Sequence, residues 1–403
     1  MSIDEYVFFN RNILKIVGLY PINLLRYFAC LLLIFLIVVP QMFQLYLKRN
    51  DLSVILETSS VSVTLLLAIL KSFVWLSNNE TTKLITFLLT DYWQIARSID
   101  TNDCMLEHAK SGRNVTRGYS FLIVNALFIF FSFRPLGFVI QKIRGNYGES
   151  LDDAETSFPF PAAYPTFFYK SPFYEMTYVS QMLATSFCGL LILAMDTLVA
   201  TALFHTCGHF EILHRNLLAL DNYIDQPEYV EKNETDEITK CSGELSWTVE
   251  KRLNRIVSHH QVIIRFSDSV EKAFNLILFL QVFASSLLIC LVGFQLSTTT
   301  ANAYKLAEYF SYLLMAMFQM LLFCWPGDKI IYHSSTIGNA AFSVKWYDSS
   351  SYIKMGIFFI ILRSQKPNCL TAGKFYKMCM TSFATILNTS LSYFMLLRSI
   401  NVN

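Results

Sequence analysis

Apolar positions in this chain come in long blocks, not in the alternating or one-sided patterns of soluble strands and helices. Seven blocks, at 24–47, 52–76, 119–141, 178–205, 272–296, 304–325 and 374–397, are long and poor in charge. Each has the length an α-helix needs to cross a hydrocarbon core, about 20 residues for about 30 Å. An eighth apolar stretch, 351–363, is too short to span and is cut from the last block by the polar turn 364–368, which contains Pro367. The pattern predicts an all-α polytopic membrane protein with seven transmembrane helices, the last preceded by a short cytosolic or interfacial helix.

Three connections are long: 77–118, 142–177 and 206–271. In the third, Leu245, Val249, Leu253, Ile256, Val257, Ile263 and Ile264 recur at helical spacing, with Lys251, Arg252 and Arg255 on other faces. This predicts that the fifth helix continues well beyond the membrane, with the acidic stretch 221–240 as the tip of the connection. No fixed-period repeat is visible, and an odd number of spans argues against the two inverted halves of many transporters. The expectation is one seven-helix domain over 1–403, with cytosolic helical extensions within 206–271 and 326–368.

Composition strengthens the membrane reading: 54% of residues are hydrophobic and 15% charged, and mean hydropathy is +0.41. A net charge of +2 gives no electrostatic basis for binding nucleic acid. Residues 1–20 carry Asp4, Glu5, Arg11 and Lys15 and have no long apolar core, so they do not read as a cleaved signal peptide. Nine cysteines, without a CxxC pair, fall outside every segment assigned to the exterior, so no extracellular disulfide is expected. With the N-terminus inside, the inner segments hold most of the Lys and Arg, but they are also longer. The sequons at Asn79, Asn114 and Asn233 would then stay unmodified in the cytosol.

Three charges fall inside the blocks. Lys71 and Arg134 sit near helix ends and are expected to snorkel. Asp196 is deeper, where a charge costs about 2.5 to 3.5 kcal/mol to insert, and calls for a cation on another helix or a wet cavity. His205 and His209 share a helix face at i and i+4, but no third and fourth ligand is evident, so packing is expected there and no metal. No nucleophile–base pair, phosphate loop or paired-acid signature is visible, and neither an enzyme nor a cofactor is expected.

Several stretches resemble the insect odorant receptor family. HHQVIIRFSDSVEKAF (259–274) running into QVFASSLLICLVGFQL (281–296) is similar to the family's fifth helix and its approach. FQMLLFCWPGDKIIYHSSTIGNAAFSVKWYD (318–348) resembles the family pattern at Gln319, Cys324, Gly327, Ser334 or Ser335, Ala340 or Ala341, and Trp346. The closing SYFMLLRS (392–399) and CGHFEILHRNLLAL (207–220) resemble family segments in the matching order. The N-terminal half agrees mainly in helix count and spacing.

The resemblance implies an odorant-gated, non-selective cation channel of the plasma membrane, with its N-terminus cytoplasmic and its C-terminus extracellular. In that family an odorant-tuned subunit assembles with a shared olfactory coreceptor, as a tetramer in membrane lipid. This chain is similar to the tuned subunit, since the coreceptor's longer connection between the fourth and fifth helices is absent. The resemblance places Leu396 at a hydrophobic gate, Ser399 at an outer polar position of the pore, and Tyr393 on a family tyrosine. Arg398 departs from the apolar residue expected there and would oppose cations if it faced the lumen. A ring of apolar side chains closes a pore by dewetting it.

The resemblance also implies a pocket for a small volatile odorant among the outer halves of the second, third, fourth and sixth helices. Candidates are Val61 and Thr64, then Phe131, Ser132 and Phe138, then Met182 and Ser186, and finally Tyr309 and Tyr312, which share one helix face. Four acids in the outer connection, Glu149, Asp152, Asp153 and Glu155, have two readings: a solvated loop capping the bundle, which is favoured, or a patch that concentrates cations near the pore mouth. Two other readings share the span count. A gustatory receptor of the same superfamily differs in ligand and partner. A G-protein-coupled receptor would carry Asp-Arg-Tyr after the third helix and Asn-Pro-x-x-Tyr in the seventh, and neither is present.

Overall fold

The computed structural model describes residues 4–99, 103–143, 158–221, 238–298 and 303–402. The helices are α1 (Asp4–Val17), α2 (Leu24–Leu47), α3 (Leu52–Ser77), α4 (Asn79–Phe87), α5 (Trp93–Ile99), α6 (Cys104–Ile143), α7 (Phe173–Leu218), α8 (Ile238–Thr298), α9 (Ala303–Ser343), α10 (Ser351–Ser364) and α11 (Met380–Val402). A π-helical turn, Leu88–Tyr92, joins α4 to α5, and the strands β1 (Thr371–Ala372) and β2 (Tyr376–Lys377) form an antiparallel hairpin before α11.

Six helices, α2, α3, α6, α7, α8 and α9, are long and apolar enough to cross a membrane. The seventh, α11, is 23 residues long and is diluted by Thr381, Ser382, Thr385, Asn388, Thr389, Ser390 and Ser392. Helix starts follow local chemistry: Asn23, Asn78 and Ser350 each accept a backbone N–H from the first turn of α2, α4 and α10.

α7 is the central post. Every residue from Leu191 to Phe210 is buried, so its apolar residues face other helices all round. α2 shows the opposite arrangement. Tyr27, Cys30, Ile34, Ile37 and Val38 are buried, while Leu25, Phe28, Leu32, Phe35 and Val39 are exposed, as a lipid-facing helix requires. Pro40 in α2 lacks an N–H, which frees the carbonyl of Leu36. The Tyr164 hydroxyl donates to it at 3.4 Å, and Ala163 N donates to the Pro40 carbonyl at 3.3 Å, so the outer connection docks on this break.

The structure departs from the sequence reading in four places. Residues 4–17 form a helix because Tyr6, Val7, Asn10, Ile13, Leu14 and Val17 make one buried face, a periodicity masked by the charges between them. The 77–118 connection is almost wholly helical and joins the third span without a break, because α6 begins at Cys104. The last helix starts at Met380, not 374: Gly373 and Lys374 take positive φ and turn the β hairpin. Finally, Lys71 does not snorkel. It is fully buried and pairs with Asp196. Arg134's side chain, residues 149–155 and Asn233 lie outside the described residues.

Candidate functional site

A cavity of about 90 Å³ lies among α3, α6, α7, α8 and α9, with Phe160 of the outer connection also in its wall. The helices contribute one face each. α6 gives Tyr119, Ile123, Ala126, Leu127 and Phe130; α7 gives Thr185, Cys188, Gly189 and Ile192; α9 gives Tyr312, Met315, Ala316 and Gln319. Those spacings are i, i+3 or i+4, and i+7, the signature of a helix facing one point. α3 adds Val61, Thr64, Leu65 and Leu67, and α8 adds Leu288.

The walls are apolar, and most of their polar groups are already satisfied. The Thr64 and Tyr312 hydroxyls are hydrogen-bonded to each other, and Tyr312 donates to the Ser60 carbonyl at 3.0 Å. Thr185 donates to the Gln181 carbonyl at 2.7 Å. Phe130 stacks on Phe160 at 5.3 Å and meets Tyr312 edge-on at 6.1 Å. Phe160 is itself fixed by Gln181, whose carboxamide accepts from Phe160 N at 3.1 Å and donates to Phe160 O at 3.3 Å.

One end of the cavity is polar. Gln319 Nε2 donates to Asp196 Oδ2 at 2.6 Å and to Gln281 Oε1 at 3.1 Å. Lys71 Nζ donates to Asp196 Oδ1 at 2.6 Å, with both side chains buried. Gln281 continues the chain to Ser285 at 2.6 Å, and the neighbouring Ser286 hydroxyl meets Ser390 of α11 at 3.3 Å. The sequence left Asp196 without a named partner; the structure supplies two.

Of the residues singled out in the sequence, Val61, Thr64 and Tyr312 line the cavity. Phe131 and Ser132 are half-buried beside it, and the Phe131 carbonyl accepts from Tyr178 at 3.0 Å. Met182 and Ser186 pair with each other along α7, hydroxyl to carbonyl at 2.7 Å. Tyr309 is buried against Leu288, Val292 and Tyr312. The side chain of Phe138 lies outside the described residues. Tyr119, Phe130, Thr185, Cys188, Gly189 and Gln319 were missed as lining residues. Extending the face of Tyr312 by seven residues reaches Gln319, the one signal that was available.

In α11, Tyr393, Leu396 and Ser399 are exposed on the single chain, and the Ser399 hydroxyl donates to the Leu396 carbonyl at 2.9 Å. The side chain of Arg398 lies outside the described residues. At the other end of the bundle His209 pairs with His259 at 2.8 Å and with the Tyr92 carbonyl at 3.0 Å. The carbonyl can only accept, so His209 carries its proton on Nε2 and His259 donates to Nδ1. His209 therefore bonds a partner on α8, not His205 on its own face.

The family model described as 7tm Odorant receptor matches residues 51–391. The chain belongs to the odorant receptor family. Odorant receptor 13a of Drosophila melanogaster is 30% identical over 280 residues, covering 65% of this chain and 62% of that relative. Odorant receptor 9a of the same species is 26% identical over 276 residues, covering 68% of this chain and 62% of the relative. The chain thus spans somewhat under two thirds of the length of these relatives. The insect olfactory receptor OR5 of Machilis hrabei, solved in complex with eugenol, superposes with a TM-score of 0.74 at 16% identity, covering 94% of this chain and 89% of that one.

That likeness shows the fold of this odorant receptor family member, the seven-transmembrane insect olfactory receptor bundle. The protein is multi-pass in the membrane. Its family is one of receptors, not enzymes, and the G-protein-coupled and gustatory rivals give way to the odorant receptor match.

Proposed function

We propose that this chain is the odorant-tuned subunit of an odorant-gated, non-selective cation channel. It would bind a small volatile molecule in the cavity between α3, α6, α7 and α9 and open a pore lined by α11. The observation that carries this reading is the cavity: nearly all apolar, and lined mainly by the four helices that the resemblance assigns to odorant binding. A site of this kind accepts a small apolar ligand and sheds its water.

The pore half of the proposal is supported by α11. Tyr393 and Leu396 are exposed in one protomer, as residues on a lumen shared between subunits would be, and the helix is polar enough to border water. The polar chain from Gln319 through Gln281 ends at Ser285 of α8, and the next residue on that helix, Ser286, meets Ser390 of α11, so α8 touches both the cavity's polar end and the last helix. The working unit is the whole chain, with the helical segments within 206–271 and 326–368 on the cytosolic side, the N-terminus cytoplasmic and the C-terminus outside, assembled in the plasma membrane with the olfactory coreceptor.

The test is to record currents from cells expressing this chain with the coreceptor, with each alone, and with Leu396→Ala in the pair, against a volatile panel. An odorant-evoked cation current from the pair that this chain's identity tunes supports the reading, and Leu396→Ala should raise the standing current. A pair that never responds to volatiles beyond the coreceptor alone would overturn it.

A further inference from the structure

Among the described residues eight cysteines carry free thiols, and six of them are buried; Cys369 and Cys379 are the two only partly covered. Those two bracket the β hairpin that leads into α11. Its register sets Thr371 opposite Lys377 and Ala372 opposite Tyr376. Met378 N donates to the Leu370 carbonyl at 2.8 Å, which carries the pairing one position further out. The next step along the same register sets Cys369 opposite Cys379.

Antiparallel pairs alternate between hydrogen-bonded and open, and the position beyond Leu370 and Met378 is an open one. Cα atoms of an open pair stand about 4.5 Å apart, within the range of about 4.4 to 6.8 Å that a disulfide spans. Leu370, Ala372 and Met378 are buried, so Cys369 and Cys379 share the opposite face of the hairpin with Thr371 and Lys377. Burial raises the Cys369 thiol, the Lys377 ammonium lowers it, and Glu271 and Cys379 raise it, which sets all three neighbours close to its sulfur. Cys379 Sγ also lies 3.4 Å from Ser382 Oγ, a weak bond that a thiol gives up readily.

The hairpin is a joint between three helices. Thr371 N donates to Glu271 Oε2 at 2.7 Å, and Asn275 Nδ2 donates to the Thr371 carbonyl at 3.1 Å, both on α8. Met378 lies against Gly327 of α9, and α11 begins at Met380, directly after Cys379.

We propose that Cys369 and Cys379 are an oxidisable dithiol whose disulfide cross-links the neck of the hairpin and restrains α11. The oxidant is a small-molecule disulfide such as oxidised glutathione. One cysteine thiolate attacks it and releases one glutathione thiolate, and the second attacks the mixed disulfide and releases the other. The two cysteine protons end on the two glutathione thiols, two electrons pass the same way, and one S–S bond forms as another breaks. On the cytosolic side, where the proposed orientation puts the hairpin, reduction prevails, so the bond is a reversible signal and not a permanent staple. The thiol chemistry stands apart from the channel reading, and the effect on current rests on it.

For the test, the purified full chain is treated with oxidised glutathione, its remaining thiols are blocked with a maleimide, and it is digested with trypsin. Cleavage after Lys374 and Lys377 separates the two cysteines. Mass spectrometry is expected to find their peptides joined by a disulfide that dithiothreitol releases, and Cys369→Ser or Cys379→Ser should abolish the link. In recordings from the co-expressed pair, oxidised glutathione at the inner face should lower the odorant-evoked current by about twofold or more. Dithiothreitol should restore it, and Cys369→Ser should remove the effect. Unlinked cysteines after oxidation, free or carrying glutathione, overturn the inference, as does a bond from Cys379 to Cys324 instead. Both outcomes are read on the unmutated chain, whether or not the variants fold. Linkage with unchanged current overturns the restraint on α11. Absence of any volatile-evoked current counts against the channel reading, while the thiol mapping still decides the dithiol.

Discussion

Lys71 on α3 and Asp196 on α7, 125 positions apart in the sequence, hold Nζ and Oδ1 2.6 Å from each other with neither side chain open to solvent. Within a bilayer neither charge could stand alone, and each offsets the cost of burying the other. The pair ties the helix that carries Val61 and Thr64 to the central helix, and Asp196 then fixes Gln319.

Removing one partner leaves a buried charge uncompensated, at a cost of about 3 to 5 kcal/mol by analogy with soluble proteins. Asp196→Leu or Lys71→Met alone should therefore sharply lower the melting temperature of the detergent-purified protein and its surface level. The double variant Lys71→Met with Asp196→Leu should recover much of the loss. If both singles melt with the unmutated protein, the pair is not a structural tie.

Gly189 forms part of the cavity wall. A Cβ added there would sit 3.2 Å from Ile123 Cγ2 and 3.6 Å from Leu127 Cδ1. Gly189→Val takes space from a chamber of only about 90 Å³. Potency of bulky volatiles on the co-expressed pair should drop at least about tenfold relative to small ones, since even one methylene in an apolar pocket is worth about tenfold and Val adds three carbons. A uniform loss across ligand sizes would point to misfolding, and no change would place the ligand elsewhere.

Gln181 is buried and is the clasp of the outer connection, bonding both backbone groups of Phe160 and the Tyr164 hydroxyl. Gln181→Leu leaves the two Phe160 backbone groups without that partner, at about 1 to 3 kcal/mol each, while the Tyr164 hydroxyl keeps its bond to the Leu36 carbonyl. Hydrogen–deuterium exchange over 158–172 should speed up while α10, remote from it, keeps its protection. Exchange that rises equally in both regions would mean global loosening instead.

Gly327, near the middle of α9, packs on the chain just before α11: a Cβ there would overlap the Met378 carbonyl oxygen. Backbone cannot yield as a flexible side chain can, so Gly327→Ala should cost about 1 to 3 kcal/mol and displace the start of α11. The expected readout is a lower melting temperature, together with altered current at matched surface level. A variant identical to the parent in both would show that the approach is looser than drawn.

The sequence by itself determined the membrane class and the approximate positions of the spans, because the cost of placing polar backbone and charge in hydrocarbon is paid locally and so leaves blocks of characteristic length, and its motifs pointed to the family. It also placed the helical extension through Val249 and Leu253, where a polar face survives to mark the phase. Rotation of the spans about their own axes was legible only in part. In a helix buried on every side, such as α7 from Leu191 to Phe210, no exposed face marks the phase, and one residue of error turns a side chain by about 100°; on α6 the same step separates Phe130 in the cavity wall from Phe131 next to it. Only the tertiary structure decided that Lys71 pairs with Asp196, that Gln319 and Tyr119 meet at one carboxylate, and that His209 finds His259. Those contacts join distant segments, and their energies depend on distances of a few ångströms that no local pattern records.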